Sequence, residues 1–356
     1  MQISIVDPVL QTYLFIGLLL VAVLATIRGR RVVGSIGVDV TQELKGFAIL
    51  AIVFSHIGYF LALDHRFLFP LSVFAGVGVD LFLFVSGFGI ASSACARGES
   101  VVQFYRRRLK NIYVPLWIVL AAFFIADYAL LHKTYAWDYV ARSLAGWFPS
   151  ANLFSDVNSP LWYLSLILFY YLVFPLFFSK RWLPLSALCI YVLTYVLAWW
   201  VPEGLRENMP VYELHMMAFP LGMLAAWLAQ GRKSFGEIKN VYLYYALIAA
   251  LAAAIAYLAI YSGVGKDLWI EQSVNILTVL LIVALFVVKR FELRLLSLFG
   301  LLSFEVYLLH WPLMARYDVF FGFLPASVAL AAYLALFVAL GWVLHYISRR
   351  VDSTRF

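Results

Sequence analysis

The chain has 356 residues, of which 65% are hydrophobic and 13% are charged. A soluble globular domain usually carries about 25% charged residues, so this composition excludes an ordinary soluble protein and favours one that crosses a membrane several times. The formal net charge is +7, but the basic residues follow membrane topology rather than a pattern for binding nucleic acid. Cys95 and Cys189 belong to no CxxC or Cys/His cluster, which argues against a disulfide or a metal site.

Eleven apolar segments are long enough to cross a bilayer, each close to the ~20 residues that a spanning helix needs. The first has no basic stretch before it and has one after it, so we expect a retained span rather than a cleaved signal peptide. In chain order the segments lie near 9–27, 46–63, 71–92, 111–131, 160–178, 183–201, 212–229, 241–261, 272–288, 298–317 and 325–347.

Lysine and arginine divide unevenly between the two ends of these segments. With the N-terminus outside, 20 of the 26 lie in cytoplasmic connections and 6 lie outside. Cytoplasmic connections of membrane proteins are enriched in Lys and Arg, so this alternation predicts an outside N-terminus and a cytoplasmic C-terminus. The predicted fold is an all-α, polytopic transmembrane helical bundle of about 11 spans.

The stretch from Glu43 to His56 places one titratable side chain inside an apolar run. At ~1.5 Å per residue, His56 lies roughly 16 Å along a helix from Lys45, near the centre of a hydrocarbon layer ~30 Å thick. A polar group there costs free energy unless it has a partner, so its presence indicates function. A neutral imidazole is suited to accept a proton near neutral pH. A histidine that bonds a neighbouring helix only for packing fits the same pattern.

The inside loop 94–111 carries the densest positive charge of the chain. Arg106, Arg107, Arg108 and Lys110 fall within five consecutive residues. Clustered Arg and Lys bind phosphate groups well, which favours a phosphate site. The same cluster fits a topology anchor that touches anionic lipid headgroups.

Five stretches along the chain together point to one family. Lys45 and His56 are separated by ten residues, and Gly46 follows the lysine. The other four are GVDLFLFVSGF at 78–88, FYRRRLKNIYVPLW at 104–117, LWYLSLILFYYLVFP at 161–175 and SFEVYLLHWPL at 303–313. In this order and spacing they resemble the acyltransferase-3 family of integral membrane acyltransferases, whose first pattern is Arg/Lys-x10-His. The resemblance predicts an acyltransferase-3-like domain at 38–347, an additional N-terminal helix and basic linker at 1–37, and a short cytoplasmic tail at 348–356.

The resemblance implies transfer of an acyl group, most often acetyl from acetyl-CoA, to a hydroxyl of an extracytoplasmic glycan or lipid-linked saccharide. The implied partners are acyl-CoA, the glycan or glycolipid acceptor and membrane lipids, with no metal and no nucleic acid. The expected location is the cell membrane, here the bacterial inner membrane. The oligomeric state is left open.

Residue roles follow from the resemblance and from depth in the membrane. For Asp80, His310 and the two aromatic residues, a purely structural role fits the same pattern, since buried polar groups and aromatic residues also pack. The predicted set is His56 as general base and Asp80 as the carboxylate that orients it; Lys45, Arg106, Arg107, Arg108 and Lys110 for the donor; and Trp162, Tyr163 and His310 for the acceptor.

The chain departs from the family pattern at two of these stretches. From Arg108 it reads Arg-Leu-Lys-Asn, so Asn111 stands where the family often has the second arginine of Arg-x-x-Arg. Arg107 and Lys110 are the candidates to replace that arginine. Ile167 stands where many relatives have a glutamate, so no acid is available at that position.

A transporter or flippase for a lipid-linked saccharide is the competing class of protein. It would share the many spans, the basic inside face and the buried polar residues, but it would not require the Lys45-x10-His56 pattern. A polysaccharide polymerase would be expected to have a large outside loop, and the longest here has fewer than thirty residues. Release of free CoA in the presence of acceptor discriminates between an acyltransferase and a flippase.

Overall fold

The fold is a bundle of apolar helices, seen in a computed structural model that describes residues 2–30, 34–98, 100–149, 152–153, 155–201, 209–230, 238–261 and 267–353. Two short strands, β1 (Ile27–Gly29) and β2 (Phe291–Leu293), pair antiparallel. The helices are α1 (Pro8–Ala25), α2 (Val38–Ser55), α3 (Ala75–Arg97), α4 (Val101–Leu131), α5 (Trp137–Leu144), α6 (Trp162–Phe177), α7 (Leu183–Trp199), α8 (Met209–Glu213), α9 (Ala218–Ala229), α10 (Val241–Ala259), α11 (Leu268–Val288), α12 (Arg294–Leu301), α13 (Ser303–Trp311) and α14 (Ala326–Ser353).

Nine helical segments among the described residues are long and apolar enough to cross a membrane. Arg294–Leu301 and Ser303–Arg316 make a tenth if they are one span, although they meet at a bend of 72°. Leu183–Trp199 is apolar but has 17 residues. These elements occupy all eleven predicted positions, and they indicate a multi-pass membrane protein. The count of 11 spans and the orientation of the termini remain predictions.

The basic run 106–110 is helical, which corrects the expectation of a loop over 94–111. α4 begins at Val101, because Ser100 and Gln103 cap each other: the Gln103 amide nitrogen donates to the Ser100 hydroxyl at 3.3 Å, and the Ser100 amide nitrogen donates to Gln103 Oε1 at 3.2 Å. Such a capping box satisfies two backbone donors that a helix start otherwise leaves unpaired. Arg and Lys then continue the helix, because they are good helix formers. At the other end of the chain, α14 likewise runs to Ser353, into the predicted tail.

The N-terminal segment is hydrogen-bonded to the rest of the bundle at both ends of α1. At one end, the Ile3 amide nitrogen donates to Leu61 at 2.7 Å and the Leu68 amide nitrogen donates to the Thr12 hydroxyl at 2.8 Å. At the other end, β1 pairs with β2 through Arg28 and Glu292. The described residues before position 38 are therefore hydrogen-bonded to the segment that follows α2 at one end and to β2 at the other.

Glu43 is the centre of a buried ion cluster on the same end of the bundle as β1 and β2. Its carboxylate accepts from the Arg30 guanidinium, from Lys289 Nζ and from the Leu293 amide nitrogen. The side chains of Glu43, Arg30 and Lys289 are 0%, 2% and 2% exposed. Arg30 also reaches Asp39 at 3.2 Å. The cluster joins the segments at β1 and β2 to α2, two residues before Lys45.

Reciprocal glycines let two pairs of helices touch backbone to backbone. In each pair, both helices contribute one glycine whose missing Cβ would collide with a carbonyl of the other helix. Small residues allow such close approach in membrane proteins, where packing rather than water exclusion holds helices together. The contacts are Gly46 with Leu296 and Gly300 with Gln42 between α2 and α12, and Gly87 with Phe219 and Gly222 with Phe84 between α3 and α9.

Candidate active site

His56 and His310 both lie where an α-helix gives way to a π-helix. α2 ends at Ser55, and a π-helix runs from His56 to Leu61. His310 lies in the last turn of α13, and a second π-helix runs from Pro312 to Arg316. Short π-helical turns often occur at functional sites. On both elements, the histidine therefore lies at the junction between an α-helix and a π-helix.

The two imidazoles are hydrogen-bonded to each other across 254 residues of sequence. His56 Nδ1 and His310 Nε2 are 2.8 Å apart. The ring planes are nearly parallel, at 12°, with 5.1 Å between centroids. Trp311 stands edge-on to the His56 ring at 5.2 Å. His310 is completely buried, whereas His56 is half-buried.

The partners of His310 determine which nitrogen of His56 holds a lone pair. His310 Nδ1 lies 2.8 Å from the Tyr307 carbonyl and 3.2 Å from the Val306 carbonyl, so this nitrogen must carry the proton. His310 Nε2 is then an acceptor, and His56 Nδ1–H donates to it. The remaining nitrogen, His56 Nε2, has a lone pair and is the atom able to take up a proton.

Asp80 bonds a different histidine from the one expected. Its Oδ1 lies 2.8 Å from His215 Nδ1, and its Oδ2 has no hydrogen-bond partner among the described residues. Both side chains are buried, at 0% exposure for Asp80 and 4% for His215. The structure therefore does not place Asp80 against His56, because His310 occupies the Nδ1 side of that ring. The sequence alone did not single out His215, so this pair was missed.

An aromatic series connects the two histidine sites. His215 stacks on Trp162 with 5.6 Å between centroids and 22° between planes. Trp162 contacts Tyr163 at 6.5 Å, and Tyr163 contacts Tyr307 at 5.7 Å. Tyr307 contacts His310 at 6.2 Å. The three residues predicted for the acceptor therefore belong to one continuous set of rings.

A cavity of about 1240 Å³ leads from the end of the bundle that carries the basic run to this aromatic series. Tyr163 and Tyr307 lie at its inner end, and Lys45 lines it as well. Its wall on α3 extends from Phe82 to Arg97, which is about 22 Å of helix at ~1.5 Å per residue. Pockets for drug-sized ligands measure about 300–1,000 Å³, so this one accommodates a long ligand.

The lining of the cavity is positively charged. Among the described residues that line it, none is Asp or Glu and five are cations: Lys45, Arg97, Arg107, Arg108 and Lys180. Of the predicted donor residues, Arg106 and Lys110 lie on α4 outside this lining. Arg108 lies between two rings, 5.9 Å from Phe104 and 5.7 Å from Tyr171, and its buried Nε has no hydrogen-bond partner within the described part of the chain. The cavity suits an anionic ligand.

Comparison with known proteins gives the family of the chain. The family model described as an acyltransferase domain matches residues 43–346. The chain belongs to the acyltransferase-3 family. Acyltransferase MdmB of Streptomyces mycarofaciens is 32% identical over 178 residues, which cover 46% of the chain and 42% of that protein. The chain thus spans less than half the length of this relative. No solved structure matches the chain.

The two departures from the acyltransferase-3 pattern both lie in the cavity wall. Asn111 lines the cavity beside Arg107 and Arg108, because residues three and four apart share a helix face. Its amide therefore occupies the place of the second arginine, and Lys110 does not. Ile167 lines the opposite wall on α6, between Tyr163 and Tyr171. That wall is apolar where many family members carry an acid.

The turn that carries His310 is covered by Leu153, Asn158 and Pro160. The Tyr307 hydroxyl donates to the Pro160 carbonyl, and the Asn158 amide donates to the Leu308 carbonyl at 2.8 Å. Trp311 Nε1 donates to the Leu153 carbonyl at 3.1 Å. These contacts fix α13 where its histidine meets His56. The described part of the chain contains no group of three His, Cys, Asp or Glu side chains that could hold a metal ion.

Proposed function

We propose that the chain transfers an acyl group, most often acetyl, from cytoplasmic acetyl-CoA to a hydroxyl of an extracytoplasmic glycan or lipid-linked saccharide. Family membership supports the reaction class. The observation that carries the proposal is the hydrogen bond between His56 Nδ1 and His310 Nε2, because it leaves His56 Nε2 ready to act as a base. The proposed location is the bacterial cell membrane, where the saccharide acceptor is met from outside.

The chemistry needs one proton acceptor, and His56 supplies it. Nε2 takes the proton of the acceptor hydroxyl as the oxygen attacks the thioester carbonyl carbon. A C–O bond forms, the C–S bond breaks, and the proton passes from the imidazolium to the departing sulfur, which leaves as free CoA. His310 accepts from Nδ1–H throughout, so it stabilises the imidazolium as the orienting acid of a triad does. Positioned base catalysis is typically worth ~10²–10⁴-fold.

The donor is assigned to the cationic cavity. Lys45, Arg107 and Arg108 line it and would contact the CoA phosphates, with Asn111 as a neutral partner on the same helix face. Arg106 and Lys110, outside the lining, are assigned to anionic lipid headgroups beside α4. The apolar inner part, with Phe82 and Ile167, suits the uncharged arm that carries the thioester.

The acceptor is assigned to the aromatic series on the other side of the cavity end. Trp162 and Tyr163 offer ring faces and His310 lies next to the reacting imidazole. Asp80 retains an orienting role, but toward His215, whose ring is stacked on Trp162. In this arrangement Asp80 acts on the acceptor wall rather than on the base.

Substitution of His56 tests the proposed base. We expect His56→Ala and His56→Gln to lower CoA release in the presence of acceptor by at least about 10²-fold, since an amide does not accept a proton at neutral pH. His310→Gln should retain more activity than His310→Ala, because its amide oxygen still accepts from Nδ1–H. His65→Gln, on the loop that follows, is the matched control.

Near wild-type transfer by His56→Gln would exclude the base role. Expression level and thermal stability of each variant show whether the loss is catalytic. If His56 were needed only for packing, its replacement should lower both the expression level and the thermal stability. A flippase of lipid-linked saccharide, the competing class, would release no CoA in the same assay with the wild-type chain.

A further inference from the structure

Two cations at the mouth of the cavity stand apart from the basic run of α4. Arg97 is the last residue of α3, and Lys180 lies three residues beyond the end of α6 at Phe177. Both line the cavity. Cys95, two residues before Arg97 on α3, also lines the cavity and lies close enough to Lys180 for a charge interaction between the two side chains. Two separate elements thus bring positive charge to one point.

The cations of α4 occupy a deeper level. The Arg108 guanidinium lies over the Tyr171 ring, and Tyr171 is six residues before the end of α6, or about 9 Å along the helix. Lys180 lies beyond that helix end. The cavity therefore presents positive charge at two depths, first at the mouth and then around Arg108. Further in, its lining is the apolar stretch that ends at Tyr163.

A ligand that matches this order carries two separated anionic groups at one end and an uncharged arm at the other. A CoA thioester has this arrangement, with a diphosphate, a further phosphate on the ribose and a neutral pantetheine arm. We propose that Arg97 and Lys180 form a second phosphate subsite that binds the ribose phosphate, while Arg107 and Arg108 bind the diphosphate. The inference rests on the proposed function. It specifies a nucleotide thioester as donor, as opposed to a carrier protein whose phosphopantetheine lacks the ribose phosphate.

The loss of one phosphate from the ligand tests the subsite. Equilibrium binding of CoA and of 3′-dephospho-CoA is measured on the detergent-purified full chain, for wild type, Arg97→Gln and Lys180→Gln. We expect wild type to prefer CoA by at least about tenfold, the effect of one charge-assisted contact. Each variant should lose CoA affinity by a similar factor and bind dephospho-CoA as wild type does.

Arg181→Gln is the matched control, because Arg181 neighbours Lys180 but lies over the Trp182 ring at 5.4 Å and outside the cavity lining. It should keep the preference for CoA. If Arg97→Gln and Lys180→Gln keep that preference too, the subsite is refuted. Binding measured directly also separates a folding defect from a lost contact, since a misfolded variant would lose dephospho-CoA as well.

A phosphate of an anionic lipid offers the same chemistry from another source. The binding measurements are therefore repeated in nanodiscs of phosphatidylcholine, alone or mixed with phosphatidylglycerol. A phosphate-dependent preference in phosphatidylcholine alone supports the nucleotide subsite. The proposal is overturned if Lys180→Gln still prefers CoA over dephospho-CoA and retains phosphatidylglycerol more weakly than wild type does. Lys180 would then bind lipid rather than the nucleotide. Wild type that binds no CoA and transfers no acyl group refutes the proposed function itself, whereas equal binding of both ligands refutes only the subsite.

Discussion

Replacement of Glu43 by Gln tests how the N-terminal segment is joined to the helix that carries Lys45 and His56. The substitution keeps the shape of the side chain and removes its charge. It leaves Lys289 without its carboxylate partner and Arg30 with Asp39 alone, although each of the two cationic side chains is only 2% exposed. Loss of one partner from a buried ion pair costs about 3–5 kcal/mol, because a buried charge is left unpaired. Since two cations lose the same partner, we expect a loss in the upper part of that range.

Asp39→Asn is the matched control for this substitution. Asp39 pairs with the same Arg30 at 3.2 Å, but its side chain is 42% exposed, so its loss should cost about 0–1 kcal/mol. The free energy of unfolding is measured by SDS titration in mixed micelles, followed by tryptophan fluorescence. Adding Lys289→Met to Glu43→Gln should restore part of the loss, because it removes one of the unpaired charges. A loss for Glu43→Gln no larger than that for Asp39→Asn would refute the reasoning.

Two further predictions concern packing and topology. Gly222→Ala should lower the free energy of unfolding by about 1–3 kcal/mol, because the added Cβ would meet the Phe84 carbonyl. Gly17→Ala is the control and should change this free energy little, because there is open space around Gly17. SDS titration compares the two variants, and equal values would contradict the close contact at Gly222. A cysteine placed at Arg142 in a cysteine-free background should react with an impermeant maleimide applied outside intact cells, and one at Lys239 should not; the reverse labelling would invert the predicted topology.

Much of the fold could be predicted because the bilayer imposes one dominant signal. Apolar runs of about 20 residues located all eleven helical regions, whatever their final number of spans. The signal fails where a helix leaves the apolar layer. α4 begins ten residues before the predicted segment 111–131, and the Ser100–Gln103 capping box that starts it was visible in the sequence. The 72° bend at Leu302 has no such local mark.

The site was predicted less completely, because its partners are distant in sequence. Spacing to Lys45 identified His56, and mid-membrane depth identified Asp80. Neither reveals that His310 lies 254 residues from His56 or that His215 lies 135 residues from Asp80. Depth in the membrane alone paired Asp80 with His56, because several polar side chains lie at a similar depth in the bundle. Helix packing decides between them, and a single sequence does not encode it in any short motif.

The π-helix that begins at His56 has a consequence for length changes in this region. One turn of π-helix holds an additional residue compared with an α-turn, since its hydrogen bonds run from i to i+5. Removal of one residue between Ile57 and Leu61 would convert that turn to an ordinary α-turn and leave His56 in register with Lys45. Removal of one residue between Lys45 and His56 would instead rotate the imidazole by about 100° away from His310. Natural or engineered deletions should therefore be tolerated after His56 and excluded before it.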